Sequence, residues 1–141
     1  MGSMIELTAA DGHKFGAYKA EPAGKPRGAV VVVMEIFGVN SHIRAVADGY
    51  AADGYLAIAP AMFDRLKKDV DLGYDAAGLQ AGIELMLKAT NEGAIADLNA
   101  AFGTHFSDQE HDTAAGLVIA HLGRVPRRGE TLSLGGLRFH V

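Results

Sequence analysis

Residues 29–34, with the sequence Ala-Val-Val-Val-Val-Met, decide the fold. All six side chains are apolar and most are β-branched, which is typical of a central strand buried on both faces of a parallel sheet. Apolar residues then recur at helical spacing over residues 43–50, and Gly54 can end that helix. Residues 55–59 form a second short apolar run. Strand, helix and strand in this order predict a right-handed βαβ unit.

The residues on both sides of this unit predict further elements. Residues 5–8 and 15–19 flank an Asp-Gly turn and favour an N-terminal hairpin. Residues 63–73 are charged and irregular, and we interpret them as a solvated surface loop. A helix is expected from the cap Asp75 to about Thr90. Asn-Glu-Gly at residues 91–93 is interpreted as a break.

The C-terminal part predicts two helices and a hairpin. A two-turn helix is expected over residues 95–102, and a second one from residue 112 or 113 to Gly123, with His121 on its apolar side. Residues 130–134 and 137–141 are joined by Gly-Gly, the sequence of a two-residue hairpin turn. The fold class predicted is α/β: a mixed sheet of five or six strands with a βαβ core, helices packed on it, and a C-terminal antiparallel hairpin.

Composition excludes several function classes. The chain has 141 residues, a one-domain length, and a net charge of −4, which argues against a nucleic-acid binder. No apolar run is long enough to span a membrane. There is no cysteine, so a disulfide, a thiolate-bound metal and a cysteine nucleophile are all impossible within this sequence. Residues 1–3 are interpreted as a cloning leader, and the expected location is the cytoplasm of the expression host.

The sequence Val-Met-Glu-Ile-Phe-Gly-Val-Asn at residues 33–40 resembles the signature that follows the third strand of dienelactone hydrolases. The resemblance spans about residues 4–88. It implies an α/β-hydrolase fold and the hydrolysis of small lactone esters by a Cys-His-Asp triad. It also implies that Glu35 contacts the nucleophile and that the backbone N–H of Ile36 helps to form the oxyanion hole.

The nucleophile of that family lies on a Gly-x-Cys-x-Gly turn, and this chain contains neither that turn nor a Gly-x-Ser-x-Gly replacement. We therefore expect that the chain is not an enzyme, that no catalytic residue is active and that no cofactor is bound. On this interpretation Glu35 and Ile36 are remnant family positions.

A second resemblance covers the C-terminal part. It is similar to the CorC/HlyC transporter-associated domain of CorC-type magnesium and cobalt efflux proteins, and the residues that carry it are 97–99, 102–108, 112–113, 116–118, 122–130 and 136–139. We therefore divide the chain into a leader at 1–3, a hydrolase-like segment at 4–91 and a CorC-like segment at 92–141. The two segments are expected to fold as one domain, and we interpret the chain as an engineered chimera without an evolved function.

Several alternatives stay open. One is a weak esterase or lactonase that uses Glu35 with water, and another is an ion- or nucleotide-related regulatory binding module. No metal site is expected, although His105 and His111 are the residues that could bind one. Truncated segments leave unpaired strand edges, so we expect a homodimer, with exchanged segments as one form of it.

Overall fold

The computed structural model describes residues 1–103, 119, 121–127, 130–134 and 137–140, and the chain divides into two compact units, Met1–Gly103 and Thr104–Val141. In the first unit the strands are β1 (Ser3–Thr8), β2 (Lys14–Ala20), β3 (Ala29–Val31) and β4 (Leu56–Pro60), and the helices are α1 (Ser41–Ala52), α2 (Ala76–Lys88) and α3 (Asn91–Phe102). The second unit contains β5 (Thr131–Leu134) and β6 (Leu137–His140). No helix in these ranges is long and apolar enough to cross a membrane.

The first unit is built on a four-stranded mixed sheet with the order β1-β2-β4-β3. β1 and β2 form the antiparallel N-terminal hairpin, and β2 is also antiparallel to β4. β3 and β4 are parallel, with Val30 beside Ala57, and α1 connects them, so the βαβ unit is confirmed. The predicted α/β class with a mixed sheet and packed helices is confirmed as well.

The second unit contains an antiparallel pair of its own, in which Leu132 lies opposite Phe139 and Leu134 opposite Leu137. This is the predicted register. The described strands divide four and two between separate sheets, and the main sheet is therefore smaller than the five or six strands expected.

Small residues let α1 pack closely on the sheet. Ala57 and Ala59 of β4 are fully buried, and so is Ala47 of α1, because small side chains allow the helix axis to approach the strands. Ile43 and Ala51 complete the buried face of the helix. This packing fixes the ends of β3 and β4, from which the loops described below emerge.

Side-chain caps set where the helices begin. The Asn40 side chain accepts a hydrogen bond from the Ile43 N–H at the start of α1. Thr90 Oγ1 accepts one from the Gly93 N–H, so residues 91–93 form the first turn of α3. The prediction of a break over 91–93 is wrong, because the Thr90 cap supplies the partner that a helix start at Asn91 requires.

The interpretation of residues 63–73 as a solvated loop is also wrong. Phe63 and Val70 are buried in the core of the first unit. Leu72 N–H donates to the Phe37 carbonyl at 2.8 Å, and Gly38 forms an antiparallel bridge with Asp71. The β4–α2 loop, residues 61–75, is therefore anchored to the segment that leaves β3.

A buried ion pair fixes the same loop to α3. The side chain of Asp97 is fully buried, and it accepts hydrogen bonds from Arg65 Nε at 3.0 Å and Nη2 at 2.7 Å. Arg65 Nη1 also donates to Asp11 at 2.7 Å. Burial raises the pKa of Asp97 while Arg65 opposes that shift, and Arg65 lowers the pKa of the more exposed Asp11 to about 2. A buried carboxylate needs this two-point contact to offset its lost hydration.

Replacing Asp97 with Asn should lower the free energy of unfolding by about 3 kcal/mol, because it leaves the Arg65 charge without its buried partner. Denaturant unfolding of the full chain measures this. The matched variant Asp11→Asn removes the exposed carboxylate on the same guanidinium and should cause a smaller loss. Equal losses from the two variants would contradict the assignment of Asp97 as the principal partner.

Candidate active site

The carboxyl ends of β3 and β4 meet at one edge of the sheet because the two strands are parallel. Open α/β sheets bind ligands at this edge. Residues 32–40 leave β3 there, and the β4–α2 loop leaves β4. Glu35 and Ile36, the two residues indicated by the sequence, both lie in the first of these segments.

Glu35 is exposed, and its carboxylate accepts a hydrogen bond from a tyrosine side chain. Tyr74 Oη donates a hydrogen bond of 2.6 Å to Glu35 Oε2. The hydrogen bond to the Glu35 carboxylate raises the pKa of Tyr74, since ionisation would break it and place two negative charges side by side. Glu35 Oε1 has no partner among the described residues. One oxygen of the carboxylate is thus fixed, and the other is available.

Two aromatic rings surround Tyr74. The Phe37 ring lies 4.4 Å from the Tyr74 ring, centroid to centroid, at an interplanar angle of 47°. The His42 ring approaches edge-on at 6.5 Å. Sequence reasoning missed Tyr74, Phe37 and His42, because Tyr74 is 39 residues from Glu35 and no periodic pattern relates them. Together with Glu35 these residues form the aromatic–carboxylate cluster.

The backbone at Ile36 is fixed from the other side by α2. A Cβ atom at position 82 would lie 2.5 Å from the Ile36 carbonyl oxygen, so only glycine permits this close contact. The Ile36 N–H, by contrast, donates to no acceptor among the described residues. An N–H held in a rigid turn and free of an internal partner is suited to bind a developing oxyanion.

Gly38 makes the turn after Ile36 possible. Its φ of +86° lies in the left-handed region, and a Cβ there would come within 1.9 Å of the Val70 carbonyl oxygen. Asn40, which is almost fully buried, then begins α1. The segment between β3 and α1 is therefore tightly constrained by its neighbours.

Other predicted candidates do not join this cluster. His105 and His111 lie outside the described residues, and within the described ranges no three His, Asp or Glu side chains are grouped so that they could hold a metal ion. The absence of a metal and of a cofactor stays a prediction. His121, predicted to lie in the core, is exposed, so that prediction is wrong.

The basic loop of the second unit is internally paired. Arg124 forms an ion pair with Glu130, which also accepts a hydrogen bond from the Arg127 N–H at 2.8 Å. The Arg124 side chain, followed by the Arg127 N–H, lowers the pKa of Glu130 to about 2. Glu130 therefore offsets the positive charge of Arg124 in this turn.

Comparison with solved structures supports the geometry of the first unit. A crystal structure of a candidate dienelactone hydrolase from Klebsiella pneumoniae superposes with a TM-score of 0.56 and 32% identity, covering 72% of this chain and 43% of that one. A dienelactone hydrolase-like promiscuous phosphotriesterase from metagenomic libraries gives a TM-score of 0.50 and 27% identity, covering 70% and 42% of the two chains.

Sequence relatives fall into two groups. A candidate carboxymethylenebutenolidase from Synechocystis sp. is 41% identical over 88 residues, which are 62% of this chain and 36% of that protein. The magnesium and cobalt efflux protein CorC of Escherichia coli is 54% identical over 48 residues, 34% of this chain and 16% of that protein. The chain thus spans about a third of the first relative and a smaller part of the second. Matches to two families are consistent with a chimera.

The expectation that the chain is not an enzyme is contradicted. It rested on the absent nucleophile turn, whereas the family and the names of the hydrolase-like relatives point to a hydrolase. The sequence profile of the dienelactone hydrolase family matches residues 15–118, which is more than half of the chain. The chain belongs to the dienelactone hydrolase family.

Proposed function

We propose that the chain hydrolyses small esters or lactones, with Glu35 as the base that activates water and the Ile36 N–H as a donor to the oxyanion. The observation that carries the proposal is the 2.6 Å hydrogen bond from Tyr74 to Glu35. Glu35 lies in a tightly fixed turn beside the Ile36 N–H, which has no acceptor in the part of the chain that the structure describes. Family membership supports the same reaction class.

The reaction can be written with the residues present. A water molecule attacks the carbonyl carbon of the ester while Glu35 Oε1 accepts a proton from that water. The carbonyl oxygen becomes an oxyanion, which accepts a hydrogen bond from the Ile36 N–H. The tetrahedral intermediate then expels the alkoxide, which takes up the proton. Tyr74 keeps the carboxylate oriented through Oε2. A positioned base contributes about a hundredfold or more, and one oxyanion donor contributes a similar factor.

Glu35→Gln tests this assignment. The amide keeps the shape of the side chain and still accepts a hydrogen bond from Tyr74, but it cannot accept a proton from water. Turnover of an activated ester should fall by about a hundredfold. The matched variant Glu84→Gln, which alters an exposed carboxylate on α2, should leave the rate unchanged. Equal rates for the Glu35 variant and the parent chain would reject the proposed base.

A tyrosine titration tests the hydrogen bond that positions Glu35. The pKa of Tyr74 is raised from 10.0, so the folded chain keeps the phenol protonated beyond the pH at which an unfolded chain would ionise it. The stabilising contribution is therefore present below pH 10 and is lost as the pH rises through the higher pKa of the folded state. In an ultraviolet titration, Tyr74→Phe should remove a late-ionising phenol, and Glu35→Gln should move that ionisation towards pH 10. A titration curve unaffected by Glu35→Gln would contradict this hydrogen bond.

We also propose that the chain joins two segments of different origin near residues 91 and 92 by engineering, and that the two segments fold together. Support comes from the two groups of relatives, each matched over a fraction of its length. The contact of Asp97, on the CorC-like side, with Arg65, on the hydrolase-like side, supports a shared fold. One uninterrupted natural gene encoding both segments would contradict the engineered origin.

A further inference from the structure

β3 lies at the end of the strand order and has one neighbour among the described strands. The Gly28 carbonyl accepts a hydrogen bond from Leu56 N–H, and Val32 N–H donates to the Ile58 carbonyl, so even-numbered residues direct their backbone groups towards β4. Because these directions alternate along an extended chain, Ala29 and Val31 of β3, and Val33 two residues beyond its end, are expected to direct theirs away from the sheet. No described residue pairs with those outward groups.

This edge lacks the features that usually prevent strand pairing. Residues 29–34 contain no charged side chain and no proline. Val33 is 55% exposed, and Ala29 is exposed as well. An apolar edge with three outward-facing peptide groups is a template for another strand.

Charges flank the edge with opposite signs. Arg27 is exposed before β3, where its guanidinium lies 5.3 Å from the centre of the Tyr55 ring, and Glu35 is exposed after it. Consider two copies that pair as antiparallel strands with the twofold axis at Val31. A residue before Val31 then lies opposite the residue that is equally far after Val31 in the second copy. Ala29 then lies opposite Val33, and Arg27 opposite Glu35 of the second copy.

We propose that the chain forms a homodimer through antiparallel pairing of two β3 strands about Val31, with Arg27–Glu35 ion pairs at both ends. The arrangement is self-complementary, as a twofold interface requires. All outward-facing peptide groups of residues 29, 31 and 33 become paired in it. Glu35 Oε2 already binds Tyr74, so the ion pair uses Oε1. Because the proposed hydrolysis needs the same oxygen, turnover per chain should fall as the dimer forms.

Sedimentation equilibrium of the full chain tests the dimer without reference to catalysis. The parent chain should dimerise, and Val33→Pro should weaken dimerisation by about tenfold or more, because each dimer loses two symmetry-related hydrogen bonds. The substitution removes an N–H that has no partner among the described residues, so the fold should persist, as circular dichroism can establish. A parent chain that stays monomeric at high concentration would overturn the proposal.

Charge reversal tests the register of the two β3 strands. It also tests the dimer itself if the Val33→Pro variant does not fold. Arg27→Glu and Glu35→Arg should each weaken the dimer by about tenfold, and the double variant should restore it. Lys25→Glu is the matched control, because Lys25 would face Glu35 only if the axis lay at Val30. A loss of dimer with Lys25→Glu but not with Arg27→Glu would overturn this register. Hydrogen exchange gives one further outcome. A monomer whose Val31 amide is protected from exchange would show that the chain's own C-terminal hairpin pairs with the outer edge of β3, and this result also overturns the dimer.

Discussion

The need to pair the buried Asp97 carboxylate governs the arrangement of the first unit. A fully buried carboxylate is tolerated where strong donors surround it, and Arg65 supplies two. Arg65 lies in the β4–α2 loop, so α3 must pack where that loop can reach it. Gly93 permits this approach, since a Cβ there would lie 2.8 Å from Arg65 Cδ. One ion pair thus positions a helix and a loop at once.

The same loop determines the geometry around Glu35. After Arg65, the loop contributes Val70 to the core. Its Asp71 bridges to Gly38 and forms an ion pair with Arg44, and Tyr74 lies near its end. Tyr74 then binds Glu35, so the carboxylate is oriented by a segment that is itself held at several points. The chemistry proposed for Glu35 therefore depends on contacts far from it in the sequence. The order of the elements along the chain places the Glu35 carboxylate at the edge of the sheet. The β4–α2 loop then orients this carboxylate through Tyr74.

The βαβ unit and the register of the terminal hairpin were predictable because both are encoded in short, periodic patterns of apolar residues and turn residues. The β4–α2 loop was not, because its partners are distant: Arg65 binds Asp97 and Asp11, which are 32 and 54 residues away. Its charged sequence resembles a solvated surface, although Phe63 and Val70 are buried. Glu35 and Ile36 were indicated by a family resemblance, whereas Tyr74 carried no local signal. The prediction that the chain is not an enzyme was wrong. It relied on the absence of the nucleophile turn more than on the match of the chain to the dienelactone hydrolase family.

The ion pair of Asp97 with Arg65 implies that α3 belongs to the same cooperative unit as the hydrolase-like sheet. Native-state hydrogen exchange of the full chain tests it most directly, by comparing the amides of Ile58 and Ala59 in β4 with those of Asp97 and Leu98 in α3. We expect both sets to open with the same free energy, equal to that of global unfolding. Exchange of the α3 amides at a much lower free energy, while the β4 amides stay protected, would contradict it.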